Sequence, residues 1–458
     1  MNIVFVVIDT LRADHLGCYG YAKPTSPAID SLAAQGARFT RCLAPGIPTT
    51  PAHTTMFTGL HPINHNIVCH GGSVDLDRKI PVLPEMLQNR GYTTAAVDNL
   101  YDIKPWFARG YEFYINPSFR HKLRLLVSAD EINARAIEWL QGHRHEDFFL
   151  FLHYWDPHTP YMPPEKYRTF YPKDRNPFSP AFSSFAPVKS QPIYGMFGDL
   201  WFDKLGPITD ADYVSSLYDA EIKRVDDGIA DLLAALDRLE LADNTLVILT
   251  GDHGESLTEH DIYFDHHGLY EPTVHVPLLM RLPGAIAPHT TVTPLVQHLD
   301  LAPTILDACS SVVSDSSSNS SPDLLSRDKR QSKPIAPMDG RSLWPLATGQ
   351  TTQGTWDRVY SCESTWQSKW SMCTEDLKLI VSLLPDRHHM PMRELYDLTE
   401  DPNELTNLAE VRPELADIME AELEAWIADN LARTGRTEDP LRVQGISLGK
   451  RWDDWVKK

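Results

Sequence analysis

An α/β fold, with helices on both faces of a parallel sheet, is predicted by three observations. Short uninterrupted apolar runs occur at residues 3–8, 93–97, 148–153 and 245–250; such runs fit central strands buried on both faces. Stretches with helical spacing alternate with them at 26–35, 129–141 and 220–241, and this alternation is the pattern of a helix-covered parallel sheet. Polar groups then collect where the runs end, at Asp9, His153 and Asp252. In open α/β sheets ligands sit beyond the carboxyl ends of the strands, so these three positions point to one site.

Taken in order, residues 3–8 read as the first central strand, closing on Asp9-Thr10. Residues 26–35 carry a serine at the start of a helical pattern. Residues 93–97 and 148–153 are further strands, with a helix at 129–141 between them. The long amphipathic stretch 220–241 leads into the strand 245–250 and the turn Gly251-Asp252-His253-Gly254. Residues 170–206, rich in Pro, Phe and Ser, read as a long surface loop that helps shape a pocket. Residues 310–333 (SSVVSDSSSNSSPDLLSRDKRQSK) are polar and low in complexity, too poor in apolar surface to order themselves, and are expected to form a flexible insertion. Short strand-like runs over 358–384 and a helix at 413–432 follow. The expected division is a catalytic domain at 1–341, with a flexible Ser-rich insertion at 310–335, and a smaller C-terminal subdomain at 342–458. No internal repeat is visible.

The chain of 458 residues, 42% hydrophobic and 10% aromatic, suits a soluble enzyme with more than one core. Its net charge of −20 repels nucleic acid and anionic membranes, so neither is an expected partner. Any anion-binding site must create its own positive field, and bound cations do that most directly. No apolar run reaches the length of a membrane span. The apolar start lacks a basic leader and a cleavage site, which fits a buried strand and not a signal peptide. The six cysteines are scattered without CxxC spacing, which argues against a zinc ribbon or disulfide scaffold and for a reducing cytoplasm.

Four constellations carry chemistry. Asp9 places a carboxylate at the end of a buried strand, costly unless paired or metal-bound, although it serves equally as a helix N-cap. Thr49-Thr50-Pro51-Ala52-His53 is suited to aim a hydroxyl from a helix tip, where the helix N-terminus also favours an anion; a threonine-rich cap is the simpler alternative. Gly251-Asp252-His253-Gly254 presents adjacent metal-ligand types between tight turns, followed by the dense run Glu259, His260, Asp261, Asp265, His266 and His267, for which a solvated charged loop is the alternative. Finally, His158 lies between two prolines in HYWDPHTPY, where a turn can project it into a cleft; a hydrogen-bonded loop histidine is the equal alternative.

Six segments together resemble the sulfatase family of the alkaline phosphatase superfamily, in that family's order: IDTLRADHLGCYG, TPAHTTMFTGLHP, HYWDPHTPY, GDHGESLTEH with HHGLYEPTVHVPLL, VQHLDLAPTILD, and RELYDLTEDPNELTNLA. The resemblance implies an alkaline-phosphatase-like sandwich, with a large central mixed, mostly parallel sheet flanked by helices. It also implies a smaller C-terminal α+β subdomain with an antiparallel sheet. Three departures stand out. The family's formylglycine precursor, a cysteine or serine, is replaced by Thr49, whose secondary alcohol cannot become that aldehyde. The motif arginine is replaced by His53, and the lysine before the LYE element by His266.

On this resemblance Asp9, Asp252 and His253 are expected to hold a divalent metal that also binds Thr49, with Thr10 or Asp14 completing the shell. Thr49 is then the nucleophile. His53, His70, His158 and His266 line the other side, as catalytic or substrate-binding groups or as ligands of a second metal; His70 is placed with the substrate by its spacing from Thr49. One or two ions are expected, Mn²⁺ or Zn²⁺ in preference to Ca²⁺, because histidine is abundant. The expected activity is hydrolysis of small anionic esters, either phosphodiesters or phosphonate monoesters. The alternatives are a sulfuric ester hydrolase without formylglycine and a catalytically inactive binding protein. A homo-oligomer is left open. Residues 170–206 and the C-terminal subdomain are expected to set specificity, and Trp106, Trp155 and Trp201 to serve packing.

Overall fold

A computed structural model describes residues 1–316, 337–386 and 388–448. Fourteen strands are present among the described residues. In chain order they are β1 (Asn2–Ile8), β2 (Ala37–Leu43), β3 (Gly46–Ile47), β4 (Thr93–Val97), β5 (Phe113–Ile115), β6 (Phe148–Tyr154), β7 (Thr245–Gly251), β8 (His275–Arg281), β9 (Thr290–Val292), β10 (Val296–Gln297), β11 (Val359–Glu363), β12 (Lys369–Cys373), β13 (Leu377–Ser382) and β14 (Arg393–Asp397).

Nine strands form one sheet in the order β10-β2-β8-β7-β1-β6-β4-β5, with β9 paired to β2. All neighbours run parallel except β8, which is antiparallel to both β2 and β7. The apolar runs explain the centre: every residue of β1, β6 and β7 is buried. Side chains on β6 alternate between the two faces. Phe148 meets Trp139, and Tyr154 donates to Asn133, both on the Ala129–His143 helix; Phe151 meets Phe57, on the Thr49–Thr58 helix. Helices therefore cover both faces, as the alternating pattern predicts.

The smaller sheet runs β14-β13-β12-β11-β3. Its C-terminal strands are antiparallel hairpins, while β3 adds parallel to β11 through Gly46↔Cys362 and Ile47↔Glu363. The N-terminal part of the chain thus lends an edge strand to the C-terminal sheet, two residues before Thr49. The Pro413–Thr434 helix covers this sheet, with Trp426 stacked on Tyr360. Separate apolar clusters fill the large sheet and the small one.

Several boundaries differ from the sequence reading. The long helix spans Ala211–Arg238, starting earlier because Asp210 caps it by accepting from Asp212 N. Residues 170–206 are not structureless. They contain helical turns at Ala186–Ser190, Pro192–Phe197, Gly198–Phe202 and Asp203–Leu205, anchored by buried Trp201 stacked on Phe202 and packed on Tyr161. The start of the Ser-rich stretch continues a helix, Leu301–Ser316; residues 317–336 lie outside the described residues. β2 carries no clear sequence signal, because Arg38 and Arg41 interrupt it. No helix among the described residues is long and apolar enough to cross a membrane.

Candidate active site

The ends of β1, β6 and β7 converge with the start of the Thr49–Thr58 helix. Asp9 follows β1 directly and is fully buried. Thr10 adopts φ 55°, strained for a β-branched residue. Its backbone is pinned there: Thr10 N donates to Asp252 Oδ1 (3.1 Å), and Tyr218 Oη donates to Thr10 O (2.7 Å). Asp252 Oδ1 also accepts from His253 N at 2.8 Å. Two backbone donors thus fix one carboxylate oxygen and leave Oδ2 buried without a hydrogen bond. Gly254 closes the turn: a Cβ there would stand 1.9 Å from the Pro272 carbonyl oxygen, so only glycine allows this approach.

Thr49 opens a helix that is buried along its whole length. Its Oγ1 stands 3.4 Å from His253 Nε2. His253 Nδ1 is 2.9 Å from Gly254 O, an arrangement that puts the proton on Nδ1 and the lone pair on Nε2. One turn along the helix, His53 Nδ1 is bonded in the same way to Thr49 O at 3.0 Å.

The separations suit a metal centre better than a hydrogen-bonded cluster. His253 Nε2 lies 3.8 Å from Asp9 Oδ1 and 3.5 Å from Asp252 Oδ2. Donors about 2.1 Å from one ion, at tetrahedral or octahedral angles, sit about 3.0–3.4 Å from each other. Ligand atoms of Asp9, Asp252 and His253 all lie within 4.8 Å of one another, and among the described residues neither Asp9 oxygen is hydrogen-bonded. Burial pushes the Asp9 carboxyl up; burial and then neighbouring Asp9 push Asp252 up to about 7. Two adjacent buried carboxylates need a cation to remain ionised, so this donor set fits a divalent ion.

Above this group opens a cavity of about 540 Å³ with Thr49, His70, His158 and His266 on its walls. The His158 and His266 rings are 5.0 Å apart, and His266 is 5.0 Å from His253. His158 Nδ1 is held by Thr159 O, leaving Nε2 for a ligand. His70 Nδ1 contacts Thr50 Oγ1 at 3.1 Å. Burial, above all, lowers His158 and His253 to about 4 and His70 to about 3, and lowers His266. Ile193, Met196 and Phe197 supply an apolar wall from the segment expected to shape the pocket.

All eight residues singled out from the sequence meet in this region, but not all in the expected way. His53 is fully buried behind Asp252 and is not among the cavity-lining residues. Asp14 turns away and pairs with Arg12 at 2.7 Å, so it does not join the Asp9 group. In the downstream run, Glu259 binds Arg12, and His260 stacks on Tyr270; only Asp265 and His266 reach the cavity. Trp106 donates to Thr54, and Trp201 packs in the core, whereas Trp155 also lines the cavity. His153, whose strand-end position pointed to the site, lies at the end of β6 with Nε2 3.3 Å from Asp9 Oδ2. Two residues escaped sequence reasoning as site members. Glu255 is buried, 3.6 Å from His266 Nδ1. Arg124 lines the cavity from an irregular segment with no motif.

A family model described as Sulfatase matches residues 1–311. The chain is 23% identical to the N-acetylglucosamine-6-O-sulfatase of Bacteroides thetaiotaomicron, over 89% of this chain and 82% of that protein. It is 24% identical to the choline-sulfatase of Rhizobium meliloti, again over 89% of this chain and 82% of that one. The crystal structure of the phosphonate monoester hydrolase of Agrobacterium radiobacter superposes with a TM-score of 0.70 at 22% identity, covering 94% of this chain and 96% of that one.

Proposed function

The chain belongs to the sulfatase family of hydrolases, and from that premise we propose that it cleaves phosphodiesters or phosphonate monoesters with Thr49 as nucleophile and a divalent cation at Asp9, Asp252 and His253. The observation that carries this reading is the double position of Thr49. Its hydroxyl faces His253 Nε2 at 3.4 Å, and the same residue lines the cavity.

When bound, a divalent cation (Mn²⁺ or Zn²⁺, on this histidine-containing donor set) supplies Lewis acidity that lowers the pKa of the Thr49 hydroxyl and offsets charge on the phosphoryl oxygens. The Thr49–Thr58 helix adds its N-terminal dipole at the same point. Thr49 Oγ attacks phosphorus, its proton passing to water in the open cavity. The bond to the leaving oxygen breaks as that oxygen takes a proton from His158 or His266. Burial, above all, shifts both imidazoles toward the neutral form when the cavity is empty; an anionic substrate shifts them back toward the protonated form, so the proton is recruited with the substrate. Water then hydrolyses the phospho-Thr49 ester. His70 holds a non-bridging oxygen, and His53 orients Thr49 through its backbone carbonyl.

Residues 1–341 form the catalytic domain in this reading, and 342–458 the subdomain that borders the cavity through Trp366 and Leu448. Six unpaired cysteines suit a cytoplasmic setting. Sulfate ester hydrolysis is the second reading, favoured by the sulfatase names of the relatives. The test is a paired rate assay of metal-loaded protein on an aryl phosphodiester, an aryl phosphonate monoester, an aryl phosphomonoester and an aryl sulfate. Faster phosphodiester or phosphonate cleavage, lost in Thr49→Ala, is expected. Faster sulfate cleavage establishes the second reading, and no turnover of any of the four points to a binding protein.

A further inference from the structure

We propose that the centre holds two divalent cations, the second between His53, His153 and Asp252, with Asp252 shared between both. The inference rests on the reading that Asp9, Asp252 and His253 hold the first.

One ligand atom from each of His53, His153 and Asp252 lies within 4.8 Å of the other two, as in the Asp9–Asp252–His253 group. Asp252 is common to both sets, and its geometry suits sharing. Backbone N–H groups occupy Oδ1, while Oδ2 stands 3.5 Å from His253 Nε2 and 3.5 Å from His53 Nδ1; because Thr49 O holds that Nδ1, Nε2 is the nitrogen His53 has left for a ligand. A single free oxygen therefore faces histidines on both sides.

His53 and His153 are both fully buried, with ring centroids 4.7 Å apart. Among the described residues neither nitrogen of His153 has a hydrogen-bond partner, although Nε2 stands 3.3 Å from Asp9 Oδ2, and neither does His53 Nε2. Buried polar atoms are nearly always satisfied, because leaving one bare costs free energy. Here three imidazole nitrogens and one carboxylate oxygen are bare in one small volume. Phe57, Phe107 and Phe151 surround the His53 ring at 6.1–6.3 Å, an apolar wall that offers no alternative partner. Two imidazoles and a carboxylate form a donor set for Zn²⁺ or Mn²⁺.

The position assigns the second ion a role. His53 and His153 do not line the cavity, so the ion sits behind Asp252 and away from substrate. It withdraws charge from the shared carboxylate. Through the bond between His53 Nδ1 and Thr49 O it also fixes the first turn of the helix that carries the nucleophile.

The experiment is metal stoichiometry on the full chain, stripped with chelator, reloaded with Mn²⁺, gel-filtered and measured by plasma mass spectrometry. Two ions per chain are expected, with an electron paramagnetic resonance spectrum showing exchange coupling within a Mn²⁺ pair. His53→Gln and His153→Ala should each fall to one ion with an uncoupled spectrum. One ion per chain in the unaltered protein, or two retained in the His53→Gln/His153→Ala double variant, overturns the proposal. The coupled spectrum needs no variant, so a misfolded variant does not remove the test. His253→Ala separates the two sites. Loss of one ion in His153→Ala with none lost in His253→Ala removes the first site and supports the second; the reverse pattern overturns the second and leaves the first.

Discussion

Thr49 Oγ1 and His253 Nε2 stand 3.4 Å apart, at the outer limit of a hydrogen bond but at the spacing of two donors around one ion. If both atoms face a common cation, Thr49 is one ligand among several, and the ion outlasts its removal. Thr49→Ala should keep the metal content of the unaltered protein, measured after gel filtration, while kcat falls by about 10³-fold or more. Thr49→Ser retains the hydroxyl and should keep measurable turnover.

The pH dependence follows from Asp252. Burial, then neighbouring Asp9, raises its pKa from 3.8 to about 7 in the metal-free protein. A raised carboxyl contributes stability below its unfolded value that is lost as pH rises through the folded one. Metal binding has the opposite sign, because the ion must displace the proton. The rise in Tm on adding Mn²⁺ should therefore grow as pH increases through about 7 and shrink below it, read by thermal melts with and without metal. A metal-induced shift that is flat from pH 5 to 8 would contradict this.

Gly254 holds the metal-binding turn against the chain at Pro272, where a Cβ would come within 1.9 Å of a backbone oxygen. Gly254→Ala should cost about 1–3 kcal/mol, as overpacking does. It should also lower metal occupancy, because the turn must move and carry His253 with it. Circular dichroism melts and metal analysis report the two effects separately.

His158 and His266 are positioned to protonate the leaving oxygen. Their alanine variants should slow alkyl esters about 10²–10⁴-fold and nitrophenyl esters far less, since a nitrophenolate needs little protonation. Equal losses on both leaving groups would assign these histidines to substrate binding alone.

The centre of the fold was legible because β1, β6 and β7 are buried on both faces and carry uninterrupted apolar runs. β2 was not, because Arg38 and Arg41 break its apolar pattern. The site residues were legible where a strand end or a motif marked them, as at Asp9, Asp252 and His253. The place of His53 was hidden: as a motif position it read as a pocket residue, and only the helix geometry turns it behind Asp252, toward His153. Arg124 reaches the cavity through tertiary packing alone, which no local pattern encodes.

The most direct test of threonine catalysis is to quench the metal-loaded enzyme in acid during turnover of an aryl phosphodiester and map the modified peptide by mass spectrometry. A phosphoryl-ester adduct on Thr49, present in the reacting enzyme and absent from Thr49→Ala, is the expected result. Turnover with no adduct on Thr49 at any quench time, or an adduct on another residue, would contradict the assignment of Thr49 as nucleophile.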